Sequence, residues 1–265
     1  MERGYLEAGE FITQVVDRKE RDFKGVYFRP GADISGHPDA ERLKKCLHDE
    51  SLRGSFDSEP FDFTQADLAN VKLIEIHLPN IIANRAIFRG ANLTNACLQR
   101  GYFEGADFSG AQLYLANLRS AHLDNSYFIA SSCVDTLLES AFLRGAQLYG
   151  AGLLKAKLSG ADLSYAKLRT ASLIEADLTD AKLNNADLTD ADLTRVDVDG
   201  AVFRGIILSG AQLIDVKNLD KAVEVGYANF DNRTIVGPEE MEIIEKSRKG
   251  IILFVRGEKL QQKVV

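Results

Sequence analysis

Two pairs of side chains have the residue types and the spacing that chemistry would require. His77 and Cys97 lie twenty residues apart, and an imidazole with a thiolate could form a base and nucleophile or bind a metal ion. Glu104 and Asp124 share that spacing, and paired carboxylates can act as general acid and base. Two ligands do not complete a metal site, and Arg144, twenty residues after Asp124, compensates the acidic pair. We therefore predict no catalytic residues, no metal and no cofactor, and a protein that is not an enzyme.

Composition narrows the classes of partner. The 265 residues carry a formal charge of −7, which favours basic partners over nucleic acid or a membrane surface. The three cysteines, Cys46, Cys97 and Cys133, are widely spaced and form no CxxC pair, which is typical of a reducing compartment. No segment approaches the roughly 18 apolar residues of a membrane span. We expect a soluble, cytoplasmic protein that binds neither nucleic acid directly nor a membrane.

A repeat of five residues determines the backbone geometry that positions all these side chains. Taking Leu68 as a central position i and stepping by five to Leu213 gives 30 positions, of which 27 are Leu or Phe. The position i−2 of the same units is Ala 21 times. This period fits neither an α-helix nor a plain strand, so the chain must turn after every unit. We expect i and i−2 to face a narrow core and the other three positions to face solvent.

Units such as ADLSY, AKLRT and ADLTD resemble the A(D/N)LXX consensus of the pentapeptide-repeat family. The resemblance covers about residues 61–215 without a phase slip. It implies an all-β solenoid, a right-handed quadrilateral β-helix with four units in each twenty-residue coil and short capping helices at its ends. Stepping by twenty predicts that Phe88, Phe108 and Phe128 stack as an aromatic ladder in the core, and Cys133 at position i is predicted to be a buried, inert thiol.

The sequence divides into a repeat region and two caps. Residues 61–218 form the β-helix of about eight coils, and residues 1–60 an N-terminal cap with a partial coil and a helical insertion at about 37–50. Residues 219–265 form a C-terminal cap with a helix at about 238–249 and a strand at about 251–255. That strand, Ile251, Ile252, Leu253, Phe254 and Val255, is predicted either to cap the core or to join two copies as a homodimer.

Charge is concentrated at one end of the repeat. Residues 175–199 hold eight acids and two bases. The twenty-residue register places opposite charges on adjoining coils, so we expect ion pairs between coils. These pairs are Asp162 with Lys182, Lys157 with Asp177, Lys167 with Asp187, Arg119 with Glu139, and Asp124 with Arg144. Asp180, Asp190, Asp192 and Asp199 have no opposite charge at that spacing and define a candidate acidic patch.

The surface features support two hypotheses about function. The first is a non-catalytic structural rod that binds a protein partner of unknown identity. The alternative comes from the family resemblance, because quinolone-resistance members are thought to present an acidic rod that resembles DNA to a type II topoisomerase such as gyrase. Pairing of the acids between coils, and the absence of internal loops in the repeat, favour the first hypothesis.

Overall fold

A left-handed residue at the end of each unit turns the chain into the next side of the coil. The computed structural model describes residues 5–18, 20, 22–41, 43, 60–225, 228–231, 233–247, 254–255 and 258–259. Position i+2 has positive φ along the repeat, as at Asn95 (56°) and Gly110 (67°). The N–H of the following residue then donates to the carbonyl at i, as from Ala96 to Leu93 at 3.0 Å. One corner therefore follows every five residues.

Four sides complete a coil, and each coil pairs with the next through parallel backbone bridges. The bridges join outward residues twenty apart, beginning at Asp62 with Ile82 and continuing to Asp197 with Lys217. In each bridge, backbone hydrogen bonds run to the coil on either side, as from Leu68 N–H to Ile87 O at 2.7 Å. At a strand spacing of roughly 4.8 Å, eight coils make a rod of about 38 Å. The register fixed by the sequence is thus the register of the structure.

The core is formed by the two inward columns of each side. Leu or Phe at i and Ala at i−2 are buried throughout the repeat, and Cys133 is fully buried among them. Phe88, Phe108 and Phe128 lie in one column with ring centroids 4.8 and 4.9 Å apart and nearly parallel planes. Phe103 packs edge-on against Phe88 and Phe108 at 6.1 and 5.4 Å. Small residues at i−2 leave the room that these rings occupy.

Gly101 should not tolerate the alanine that the repeat favours at i−2. A Cβ on Gly101 would collide with the Phe103 ring and come within 3.0 Å of Ile81 Cγ2. We expect Gly101→Ala to destabilise the protein by about 1–3 kcal/mol through overpacking, measured by urea unfolding. Gly152→Ala is the matched control, because a Cβ there meets nothing closer than the Ser131 carbonyl oxygen at 3.8 Å. Equal stability of the two variants would show that Phe103 can move aside.

The N-terminal end is a partial coil covered by a helix. Phe23 and Phe28 are buried at position i, and Asp22 and Tyr27 pair with residues 40 further along the chain, Asp62 and Asp67. Asp33 pairs with Lys72, 39 residues away, so the ADISG unit is displaced by one residue. Residues 40, 41 and 43 of the predicted insertion at 37–50 are helical, and residues 44–59 lie outside the described part of the chain.

Helix α1, Ala8–Val16, is not among the helices predicted from the sequence. It closes this end of the core with Phe11, Ile12 and Val15, all buried. The Phe11 ring lies 5.1 Å from Phe23 and 5.4 Å from Phe28. The open end of the solenoid is therefore sealed by an aromatic cluster.

At the C-terminal end the sides lengthen from five residues to six. The bridges from Asp197, Val202, Ile207 and the strand at Gln212 reach residues 217, 223, 229 and 235, so their separations are 20, 21, 22 and 23. A short 3₁₀ helix, Leu219–Lys221, lies in the first of these sides, and strand β1, Gln212–Leu213, pairs in parallel with β2, Ile235–Val236. The loss of the five-residue pattern after residue 215 therefore does not end the coil.

Helix α2, Pro238–Ser247, follows within the predicted range of 238–249. The buried Glu240 accepts the Val216 N–H at 2.8 Å, which ties the helix to the last coil. Beyond it, β3, Phe254–Val255, pairs antiparallel with β4, Glu258–Lys259. Ile251, Ile252 and Leu253 lie outside the described residues. Capping or self-association by this segment stays a prediction.

Candidate interaction surface

The outward carboxylates at i−1 are turned back onto their own corners. Each accepts the backbone N–H two residues further along at 2.9–3.2 Å, as do Asp162, Asp177, Asp187, Asp192 and Asp197. Aspartate favours this local turn because its short side chain reaches its own backbone. These carboxylates therefore stabilise the corner as well as carrying surface charge.

This local bonding changes the expected ion pairs between coils. Arg119 and Glu139 are paired at 2.8 Å, as predicted. Asp162 and Lys182 bridge through their backbones, but their side chains do not come within 4 Å in the described structure, and Asp162 instead meets Arg144 at 3.8 Å. The expected pair of Asp162 with Lys182 is therefore wrong, because the carboxylate is held toward its own corner.

The same holds for two further expected pairs. Lys157 with Asp177 and Lys167 with Asp187 face each other across bridges, yet neither pair closes to 4 Å among the residues described. Asp124 receives the Arg144 backbone N–H at 3.2 Å and not its guanidinium. Register alone thus predicts which residues are neighbours, but not which side-chain atoms meet.

The candidate acidic patch is partly neutralised by the C-terminal cap. Asp190 pairs with Arg233 at 2.9 Å and Asp199 with Lys221 at 3.1 Å, so these two acids meet cations that do not lie at the twenty-residue spacing. Arg233 lies 43 residues beyond Asp190, in the part of the chain where the five-residue period is lost. Asp180 and Asp192 make no ion pair within 4 Å in the described residues.

Sequence reasoning missed an exposed stack of rings on one side of the rod. Tyr102, His122 and Phe142 occupy successive coils at i−1, with ring centroids 4.7 and 4.8 Å apart and planes within 11°. Tyr102 is 46% exposed and Phe142 42% exposed. We call these three residues the aromatic column. The twenty-residue step that aligns the core ladder and the charged pairs also aligns these three rings.

Beside the aromatic column the corner of the rod is hollowed. Gly145 has no side chain there, and the depression of about 560 Å³ is open to solvent. We call it the notched corner. It is lined by Glu104, Asp124, Asn125, Arg144, Gly145 and Tyr165.

Two nearby aspartates have pKa values that move in opposite directions. Burial raises the pKa of Asp124 above its ordinary value, and the neighbouring Glu104 carboxylate adds to the rise, against the effect of His122 and Arg144. Burial would also raise the pKa of Asp107, but hydrogen bonds from Ser109 and the Arg89 guanidinium outweigh it and lower that pKa. Asp124 is thus a carboxylate whose charge is incompletely compensated.

These shifts predict opposite effects of neutralising the two groups. Because the folded-state pKa of Asp107 is lowered, its ionised form stabilises the fold at pH 7, and this is lost as pH falls through that pKa. Because that of Asp124 is raised, its ionisation weakens the fold as pH rises through that pKa. We expect Asp107→Asn to lower and Asp124→Asn to raise the urea midpoint at pH 7. Both differences should shrink in acid, and shifts of the same sign at pH 7 would contradict the assignment.

The groups first considered for chemistry lie in two different places on the rod. His77 and Cys97 face each other across a parallel bridge, but the described residues contain no cluster of three or more His, Cys, Asp or Glu able to hold a metal ion. Burial raises the pKa of the Cys133 thiol to about 11, so it stays protonated. The notched corner holds two carboxylates without a nucleophile.

Comparison with known proteins places the chain in a family. The family model described as pentapeptide repeats matches eight copies within residues 62–164 and 171–210, more than half of the chain. The chain belongs to the pentapeptide-repeat family, whose fold is a right-handed β-helix. No curated protein sequence matches it. No helix among the described residues is both long and apolar enough to traverse a bilayer.

Solved structures agree with this fold. The chain is similar to trypsin-treated QnrB1, a plasmid-mediated fluoroquinolone resistance protein, with 17% identity, a TM-score of 0.55, and coverage of 70% of this chain and 94% of that one. It also matches HetL, a protein involved in heterocyst differentiation regulation in the cyanobacterium Nostoc sp. strain PCC 7120. That match has 24% identity, a TM-score of 0.39, and coverage of 84% and 97%.

Proposed function

We propose that the protein is a non-catalytic rod that binds another protein through its outer surface. The observation that carries this is the group of exposed aromatic side chains on one side of the rod, in the middle of the repeat. Surface apolar groups that cluster in this way are typical of interaction sites. Tyr102 and Phe142 lie in one outward column, and Tyr165 stands at the adjoining corner.

The rigidity of the rod supports this role. Each outward column is fixed by two inward columns and by bridges to the coils on both sides, so its side chains are presented without a folding cost at binding. A core filled by Leu, Phe and Ala leaves no enclosed polar cavity in which a substrate could react within the described part of the repeat. The outer faces are the part of the molecule that can vary in chemistry without changing the fold.

The alternative, a DNA-mimicking modulator of a type II topoisomerase, has weaker support. Mimicry needs unpaired carboxylates, and Asp190 and Asp199 are held by Arg233 and Lys221. The likeness to QnrB1 at 17% identity concerns the fold. A supercoiling assay with purified gyrase separates the two hypotheses. We expect neither inhibition nor protection from a quinolone at micromolar protein, and either effect would favour the alternative.

Capture experiments test the proposed function directly. The tagged full-length chain is crosslinked in its source cells, and the recovered proteins are compared with those recovered by Phe142→Ser, which removes one partly exposed ring of the aromatic column. We expect a protein whose recovery is high with the natural chain and reduced with this variant. Recovery of no protein above background would overturn the proposal.

Self-association through residues 251–255 is proposed separately. Light scattering of the full chain and of a chain ending at Ser247 gives the test, because the truncation keeps the last coil and helix α2. A dimer of the full chain that becomes a monomer on truncation would support the interface. A dimer that persists would exclude it.

A further inference from the structure

We infer that the notched corner and the aromatic column together bind a short extended segment of a partner protein that carries one basic side chain. This inference rests on the proposed function and names the surface and the chemistry of the partner. Three properties carry it: the placement of the negative charges, the exposed rings beside them, and the dimensions of the depression.

The negative charges lie where a cation is missing. Glu104 and Asp124 are one coil apart in the notched corner, and among the described residues no charged side-chain nitrogen of Lys, Arg or His comes within 4 Å of either carboxylate, although Asp124 accepts the Arg144 backbone N–H. Arg144, the nearby cation, is directed toward Asp162. A cationic group from outside would therefore meet two carboxylates whose charge the protein compensates only in part.

The extent of the acidic site limits how many cations it accepts. Arg144 marks its upper end, and Arg85 packs one coil below Gly105, with its Cγ 3.5 Å from the place a Cβ would occupy there. Basic residues on both sides would repel a polybasic tract. The site consequently fits one basic residue flanked by uncharged ones.

The exposed rings provide the apolar half of the surface. Tyr102 and Phe142 are nearly half exposed on the coils that carry Glu104 and Arg144, and Tyr165, 53% exposed, stands at the upper end of the hollow. Arginine and lysine have long aliphatic stems that pack well on such rings while the charged head reaches a carboxylate. Aromatic residues are also enriched at the centres of protein interfaces.

The dimensions suit an extended chain. From Gly105 to Tyr165 the corner spans three coil steps, about 14 Å at strand spacing, which is the length of about four extended residues. The depression is open to solvent, and Gly145 contributes no side chain to it. A short extended segment can lie in it without a change in the rod.

The binding test uses a defined probe, the acetylated and amidated pentapeptide Ala-Leu-Arg-Leu-Ala. Its neutral analogue has citrulline in place of arginine, which keeps the shape and removes the charge. Amide chemical shifts of the full-length chain are followed during titration at low salt. We expect shifts confined to residues 100–105, 120–125, 142–145 and 165, with the citrulline peptide bound about tenfold more weakly or not at all.

Matched variants distinguish binding at the notched corner from a general electrostatic effect on peptide affinity. The double variant Glu104→Gln with Asp124→Asn should weaken binding of the arginine peptide about tenfold. The control double variant, Asp220→Asn with Glu239→Gln, makes the same charge change at exposed positions in the C-terminal cap. It should leave the affinity within about twofold. Tyr102→Ser should weaken it, and Tyr114→Ser, equally exposed two units further round the coil, should not.

Several results would overturn the inference. They are equal affinity for the citrulline peptide, equal loss in both charge variants, shifts centred on residues 180–199, and no shift at millimolar peptide. The capture experiment distinguishes failure of this inference from failure of the proposed function. If a captured protein is retained by the Glu104→Gln and Asp124→Asn double variant, the rod still binds protein but not through this corner. If no protein is captured, the proposed function fails while the peptide titration still decides the site.

Discussion

Deleting residues 161–180 should leave a folded protein one coil shorter, whereas deleting Leu173 alone should unfold much of the rod. The twenty-residue deletion joins Gly160 to Ala181 in phase, so that the bridges can re-form between the coils that become neighbours. Solenoid stability is approximately a sum over neighbouring repeats, so losing one of about eight coils should lower Tm by only a few degrees.

The coil cannot accommodate the single-residue deletion in the same way. Either every unit after it turns polar side chains into the core, or one side of the coil must span its corner-to-corner distance with four residues. We expect a loss of more than about 3 kcal/mol, because buried leucines are exposed or replaced by unpaired polar groups. Thermal unfolding by circular dichroism and urea titration measure both variants. Equal stability would contradict the register on which the whole structure depends.

Phe108→Ala should be among the most destabilising single substitutions in the repeat. Phe108 is fully buried between Phe88 and Phe128, with Phe103 packed against its edge. Removing the ring leaves a cavity in a narrow core that cannot collapse, since the coil spacing is fixed by backbone hydrogen bonds above and below. We expect a cost of about 3–5 kcal/mol, seen as a lower urea midpoint.

Two further variants serve as controls for Phe108→Ala. Phe108→Leu restores the commonest residue at position i and should cost much less than the alanine variant. Phe142→Ala removes a phenylalanine from the aromatic column, which is 42% exposed, and should change stability by no more than about 0.5 kcal/mol. If Phe108→Ala and Phe142→Ala were equally destabilising, the division into inward and outward columns would be wrong.

The five-residue period was sufficient to predict the core from sequence. Once Leu68 is placed at i, stepping by five identifies the inward residues, and stepping by twenty identifies their neighbours, including the stack through Phe108. This works because one side of the coil has the same length throughout the repeat. The same arithmetic applies to outward residues, and Tyr102, His122 and Phe142 would have been found by it.

Other features of the structure could not be predicted from the repeat period. Whether Asp162 meets Lys182 depends on competition between a salt bridge and a hydrogen bond to its own corner, and the local bond prevails. The pairing of Asp190 with Arg233 depends on six-residue sides that follow no period. Helix α1 covers the core because Phe11 completes an aromatic cluster, a tertiary contact that local sequence does not encode.

Site-specific photocrosslinking tests the central claim that the rod binds protein through one defined part of its outer surface. A photoreactive phenylalanine derivative replaces Tyr102 in one full-length chain and Tyr114, 45% exposed two units away, in another. Both chains are irradiated in the source cells. We predict a crosslinked protein adduct from position 102 and little or none from position 114. Adducts of equal yield from both positions, or none from either, would contradict the account.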